Sequence, residues 1–236
     1  MGHQPTDQQT LFAAPSSGPR LSREDALALL RDLLGRDLRA LARAYGVTFE
    51  RAGARNKGWA GQAVERALGL PADAQQAPDF GDWELKVVPL AARADGTLTP
   101  RETMSITMFT AADLEHQRFE DSHLFAKLRR LVVVARLYEG PDEPRSLVYD
   151  ARTFDLTEPS LRAAIEADYE EIRWVARHHG LAALTARVGR YVQPRPKGDD
   201  RLADGHGFYA RKALVSRMLG LADAGLEAED EAPRRP

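Results

Sequence analysis

The sequence predicts a mixed α/β protein built around a central sheet. Three observations lead there. Residues 131–137 form a run that is apolar but for Arg136, as expected of a strand covered on both faces. Residues 83–88 and 103–109 alternate with period two, the second through Met104, Ile106 and Met108. Thr157 and Pro159 open a long amphipathic helix through Ile165, Ile172 and Val175 that Gly180 ends.

The remaining elements follow in order. Residues 1–21, polar and rich in Pro, Ser and Gly, read as a flexible tail. Ser22 with Asp25 starts a helix carrying Leu27, Leu29, Leu30, Leu33 and Leu34, with Gly35 as its stop. A second helix covers residues 37–45 before Gly46. A third covers 58–68, burying Trp59, Ala60, Ala63, Val64, Ala67 and Leu68. Residues 146–149 add a strand, 182–194 and 206–210 read as short strands, and 211–221 as a last helix. Residues 222–236, with Glu227, Glu229, Asp230 and Glu231, form an acidic, disordered tail. His178 and His179 stand at a helix end, where they favour the dipole.

Composition sets the bounds. At 236 residues the chain can form one large domain or two lobes sharing a cleft. No apolar run approaches the ~18–20 residues that span a bilayer, and no secretory signal pattern opens the chain. The absence of cysteine excludes disulfides and thiolate-bound zinc and fits a bacterial cytoplasmic protein. A net charge of −2 is unpromising for binding phosphate. Basic residues nevertheless cluster at Lys127, Arg129 and Arg130, and again at Arg187, Arg190, Arg195 and Lys197; local patches of this kind steer binding.

The most informative stretch is Pro78-Asp79-Phe80-Gly81-Asp82-Trp83-Glu84-Leu85-Lys86. On a strand, Trp83, Leu85 and Val87 face one way and Glu84, Lys86 and Val88 the other. Glu84 and Lys86 then project together, about 7 Å apart at roughly 3.3 Å per residue. Asp79 can bend back toward them. Two carboxylates offer the oxygen ligands that Mg2+ prefers. Such an ion and an ammonium group can stabilise charge growing on an attacked phosphate and help form hydroxide. Taken alone, an E-x-K strand opposite an apolar face is more often a solvated sheet surface.

Five separated segments change that balance. Asn56-Lys57-Gly58-Trp59-Ala60-Gly61 with Glu65, the Asp79 to Pro89 stretch, Asp121-Ser122-His123 with Lys127-Leu128-Arg129-Arg130, Arg195-Pro196-Lys197, and Gly207-Phe208-Tyr209 together resemble the MutH family. These are the methyl-directed, strand-nicking endonucleases of bacterial mismatch repair, related to type II restriction enzymes that cut at GATC. The resemblance spans residues 22–221. It implies a restriction-endonuclease-like, PD-(D/E)XK fold: a mixed central sheet flanked by helices, in two lobes around a DNA-binding cleft.

The resemblance also implies roles. Asp79 and Glu84 match metal-binding carboxylates, Lys86 the catalytic lysine, and Glu65 a further acidic residue of the active site that shares the metal. Lys57 and Lys127 match lysines near the site and the DNA backbone; Lys127 and Arg129 lie in a basic stretch placed to meet phosphates. The loop with Arg195, Pro196 and Lys197 resembles the one reading the site in the major groove. Arg or Lys there would donate to guanine, with proline stiffening the loop. Tyr209 matches a tyrosine sensing the adenine methyl group. The implied cofactor is Mg2+, with Mn2+ as substitute. The implied partners are double-stranded, hemimethylated GATC DNA and a MutL-type activator, with the enzyme a monomer and no membrane involved. One departure stands: four residues separate Asp79 from Glu84, two fewer than usual, which leaves Asp82 as an alternative to Asp79.

Overall fold

The structure is a computed structural model that describes residues 21–51, 54–69, 81–140, 143–196 and 205–221. Both expected tails lie outside the described residues, apart from Leu21.

Three short helices come first. In α1 (Arg23–Arg31) the Ser22 hydroxyl caps the helix, accepting from the Asp25 N–H at 3.1 Å. The helix ends before Gly35, which closes the irregular turn that follows with a φ of 74°. Only Ala26 and Leu30 of α1 are buried, and Leu29 stays exposed. Asp37 caps α2 (Leu38–Ala44). A two-stranded ribbon, β1 (Glu50–Arg51) and β2 (Ala54–Arg55), leads to α3 (Trp59–Ala67).

The centre follows. It comprises β3 (Glu84–Ala92), β4 (Leu98–Pro100), β5 (Met104–Phe109), α4 (Ala111–His116), a 3-10 turn over Phe119–Asp121, α5 (His123–Leu128), β6 (Arg130–Leu137) and β7 (Val148–Asp155). The long α6 (Pro159–His179) starts with proline in its first turn, follows Glu158 without a side-chain cap, and stops at Gly180. A second 3-10 turn, Leu181–Ala183, precedes β8 (Val192–Pro196), β9 (His206–Ala210) and α7 (Lys212–Leu219).

The mixed sheet expected at the centre is present, but not every strand joins it. One sheet has the order β4-β3-β6-β7, with β3 and β6 parallel and both outer pairs antiparallel. A separate antiparallel sheet has the order β5-β9-β8. The strand at 146–149 extends to Asp155, and most of 182–191 is turn rather than strand.

The β3–β6 pair is the wall between two cores. Trp83, Leu85, Val132 and Val134 turn to a core shared with α1, α2 and α3. Val88, Leu90, Leu131, Val133 and Ala135 turn to a larger core built with α5, α6, α7 and the second sheet. The apolar run of β6 thus reflects a strand buried on both faces. In β5 a bulge between Ser105 and Thr107 breaks the expected alternation: Phe109 takes the buried position and Met108 is only half-buried.

Candidate active site

Register places the site. Glu84 lies beside Leu131 and Lys86 beside Val133 in the parallel pair, so both carboxylate and ammonium project on the larger-core side of β3. Further along that face come Val88 and Leu90. The face is therefore no solvated sheet surface: it is apolar except at its first turn, where Glu84 is 1% exposed.

A buried carboxylate needs compensating charge. Lys86 Nζ donates to Glu84 Oε1 at 2.6 Å and Lys127 Nζ donates to the same oxygen at 3.0 Å. The Lys86 ammonium also donates to the carbonyl of Ile106 at 3.3 Å, so the second sheet touches the site through the bulge in β5. Lys127 arrives from α5. Ser122 caps that helix, accepting from the Phe125 N–H at 3.2 Å while donating to the Phe119 carbonyl at 2.6 Å. This is what Asp121-Ser122-His123 does locally: it starts a helix short enough to run straight into β6, next to β3. Lys127 is buried against Glu84 rather than exposed on the surface. Arg129, one residue past the helix, is exposed.

Asp79 lies outside the described residues. Its alternative, Asp82, is exposed and paired with Arg130, which also approaches Asp155 at 3.8 Å. Glu65 is half-buried on α3, whose apolar stripe packs with Trp83 and Leu85 on the other face of β3. Before that helix, Asn56 donates to the Thr48 carbonyl at 2.8 Å and accepts from the Gly58 N–H at 3.1 Å. This holds the turn that exposes Lys57.

Two of the expected reading residues, Arg195 and Tyr209, meet on the second sheet. Arg195 pairs with Gly207 and Gln193 with Tyr209 across β8 and β9. The Arg195 guanidinium carbon lies 5.6 Å from the centre of the Tyr209 ring. Gly207 makes room for that ring: a Cβ there would stand 3.1 Å from Tyr209 Cε2 and 3.3 Å from the Thr107 carbonyl oxygen. Pro196 is exposed at the end of β8, and Lys197 lies outside the described residues. The intervening Phe208 faces the core and packs against Phe109, the rings tilted with centroids 4.2 Å apart.

Three buried or site-lining groups escaped sequence reasoning. The Ile106 carbonyl gives no signal, because a bulge is set by pairing. Asp168 and Arg211 were hidden as ordinary charges; the only hint was an aspartate at a position where α6 turns its apolar side inward.

A mixed α/β fold carrying a buried carboxylate bound by two lysines, with an arginine–tyrosine pair on its second sheet, has the build of an enzyme acting on a phosphate polymer. The family description "DNA mismatch repair enzyme MutH" matches residues 68–167, a span holding Glu84, Lys86 and Lys127 but neither Glu65 nor Arg195 and Tyr209. The DNA mismatch repair protein MutH of Shewanella sp. (strain MR-4) is 30% identical over 207 residues, covering 79% of this chain and 89% of that protein. That of Klebsiella pneumoniae (strain 342) is 28% identical over 227 residues, covering 87% and 94%. The chain belongs to the MutH family of DNA mismatch repair enzymes. Among solved structures, a complex of restriction endonuclease MvaI with its cognate DNA aligns over 85% of this chain and 97% of that one, at 12% identity and a TM-score of 0.35. That likeness is too loose to add to the assignment.

Proposed function

We propose that this protein is a Mg2+-dependent DNA endonuclease that nicks the unmethylated strand at hemimethylated GATC sites in methyl-directed mismatch repair. The observation that carries the reading is Glu84, buried at the start of β3 with Lys86 and Lys127 on one of its oxygens. A burial this costly is weak as a stability device. It makes sense as a preorganised electrostatic site.

Among the described residues no group of three His, Cys, Asp or Glu side chains converges on a metal position. The donor chemistry nevertheless fits a hard cation: Glu84, Asp79 and Glu65 offer only carboxylate oxygens, the ligands of Mg2+ rather than of a soft metal. Bound there, the ion would act as a Lewis acid on the scissile phosphate. The chain's own residues do the rest. Lys86, fixed between Glu84 and the Ile106 carbonyl, holds a positive charge where the attacked phosphate gains negative charge. Lys127 donates to the same Glu84 oxygen and adds a second positive charge. Arg195 and Lys197 donate to guanine in the major groove, and the Tyr209 ring packs beside the adenine N6 position. The reading includes activation by a MutL-type partner, a monomeric enzyme and a cytoplasmic setting.

The test is a nicking assay on unmethylated, hemimethylated and fully methylated GATC duplexes, with Mg2+ and with EDTA. Cleavage confined to unmethylated strands and lost in EDTA is expected. Equal cutting of all three states would leave an unspecialised nuclease. Double-strand cutting of unmodified DNA would make it a restriction-type enzyme.

A further inference from the structure

Asp168 and Arg211 are buried charged groups with no part in the chemistry above, and both spend their charge on the same piece of backbone. The Asp168 carboxylate accepts from three consecutive N–H groups, those of Arg190, Tyr191 and Val192, at 2.6, 2.7 and 2.8 Å. The Arg211 guanidinium donates to the carbonyls of Gly189, Ala186 and Val188 at 2.9, 2.7 and 3.4 Å. Glu171, also on α6, accepts from the Gly189 N–H at 3.2 Å. Residues 186–192 are thereby gripped by acids on their donors and a base on their acceptors.

The turn has little freedom to begin with. Gly189 has a φ of 78°, and a Cβ there would fall 1.9 Å from the Val192 carbonyl oxygen. Burial pushes the Asp168 carboxyl above the usual carboxylate range, while its three N–H partners pull it back. Location gives the grip its meaning. Val192 begins β8, so Arg195 stands three residues beyond the clamped turn. Arg211 follows β9 directly, two residues after Tyr209, and its own N–H donates to the Tyr191 carbonyl at 2.8 Å.

We infer that Asp168 and Arg211 are positioning residues for DNA reading: they fix Arg195 and Tyr209 in one geometry before DNA arrives, so that little ordering remains to be done on binding. The inference rests on the proposed reading role of Arg195 and Tyr209. It is tested by the ratio of cleavage rates on a GATC duplex and on duplexes with one base pair changed. That ratio does not depend on the fraction of enzyme folded. Asp168→Asn and Arg211→Lys are each expected to lower it about tenfold or more, the scale of one good base contact. A wild-type ratio in both variants, with the ratio lost in Arg195→Ala, overturns the clamp. A wild-type ratio in Arg195→Ala instead removes the reading role itself. Should neither clamp variant fold, hydrogen exchange on the wild type decides. Slow exchange of the 190–192 amides in free enzyme is expected, and protection gained only on adding DNA overturns the inference.

Discussion

At the scale of single residues, Glu84 is where the structure departs most from a surface reading. One oxygen serves two lysines in a setting almost closed to water. Replacing it with alanine should cut kcat by about 10²–10³ or more, the cost of removing one strong electrostatic partner of a transition state. Binding in a mobility-shift assay should persist. Asp79→Ala should be equally inactive. Asp82→Ala should cleave at close to the wild-type rate, because Asp82 is committed to Arg130. The reverse pattern would move the metal ligand to Asp82.

Lys127 separates two kinds of cation. Buried on Glu84, it should lower kcat when changed to alanine without altering the salt dependence of binding. Exposed Arg129 should behave oppositely: Arg129→Ala should leave chemistry intact and flatten the salt dependence by about one unit of slope, as loss of one phosphate contact does. A reduced slope for Lys127→Ala would return that lysine to the DNA backbone.

At the scale of elements, legibility followed locality. The face-sharing of Glu84 and Lys86 was readable because strand alternation is a two-residue rule, and β3 obeys it. The helix start at Ser22 and the stop at Gly180 were readable for the same reason. What failed depended on distant partners. The extension of β7 to Asp155 is imposed by pairing with β6, and the bulge that re-phases β5 by pairing with β9. The contact of Lys127 with Glu84 could not be read locally, because nothing within six residues reveals that α5 ends beside β3. Asp168 and Arg211 act on backbone, which has no sequence signature at all.

The second sheet carries its own prediction. Tyr209 is held over Gly207 and beside Arg195, so its ring is placed by its neighbours on the sheet. Tyr209→Ser should therefore keep the GATC preference and change the ratio of activity on hemimethylated and unmethylated duplexes, measured in parallel reactions. An unchanged ratio would assign methyl sensing elsewhere.

On the scale of the whole molecule, the site depends on two cores at once. Trp83, between Asp82 and Glu84, is 1% exposed, packs in the core behind the site, and donates from its indole N–H to the Leu21 carbonyl at 3.2 Å. Trp83→Ala should cost about 3–5 kcal/mol of stability, the range for truncating a buried aromatic. It should also depress kcat beyond what the unfolded fraction explains, because the start of β3 loses its anchor. Denaturant unfolding and single-turnover cleavage at low temperature measure the two effects separately.

The double-faced β3–β6 wall has an evolutionary consequence. A single inserted or deleted residue in either strand would exchange the side chains of the two cores and carry Glu84 and Lys86 to the wrong side of the sheet. A change of length is therefore better absorbed in the connections than in these strands. The short spacing between Asp79 and Glu84 lies where such change can be absorbed, just ahead of the first residue that the wall holds in register.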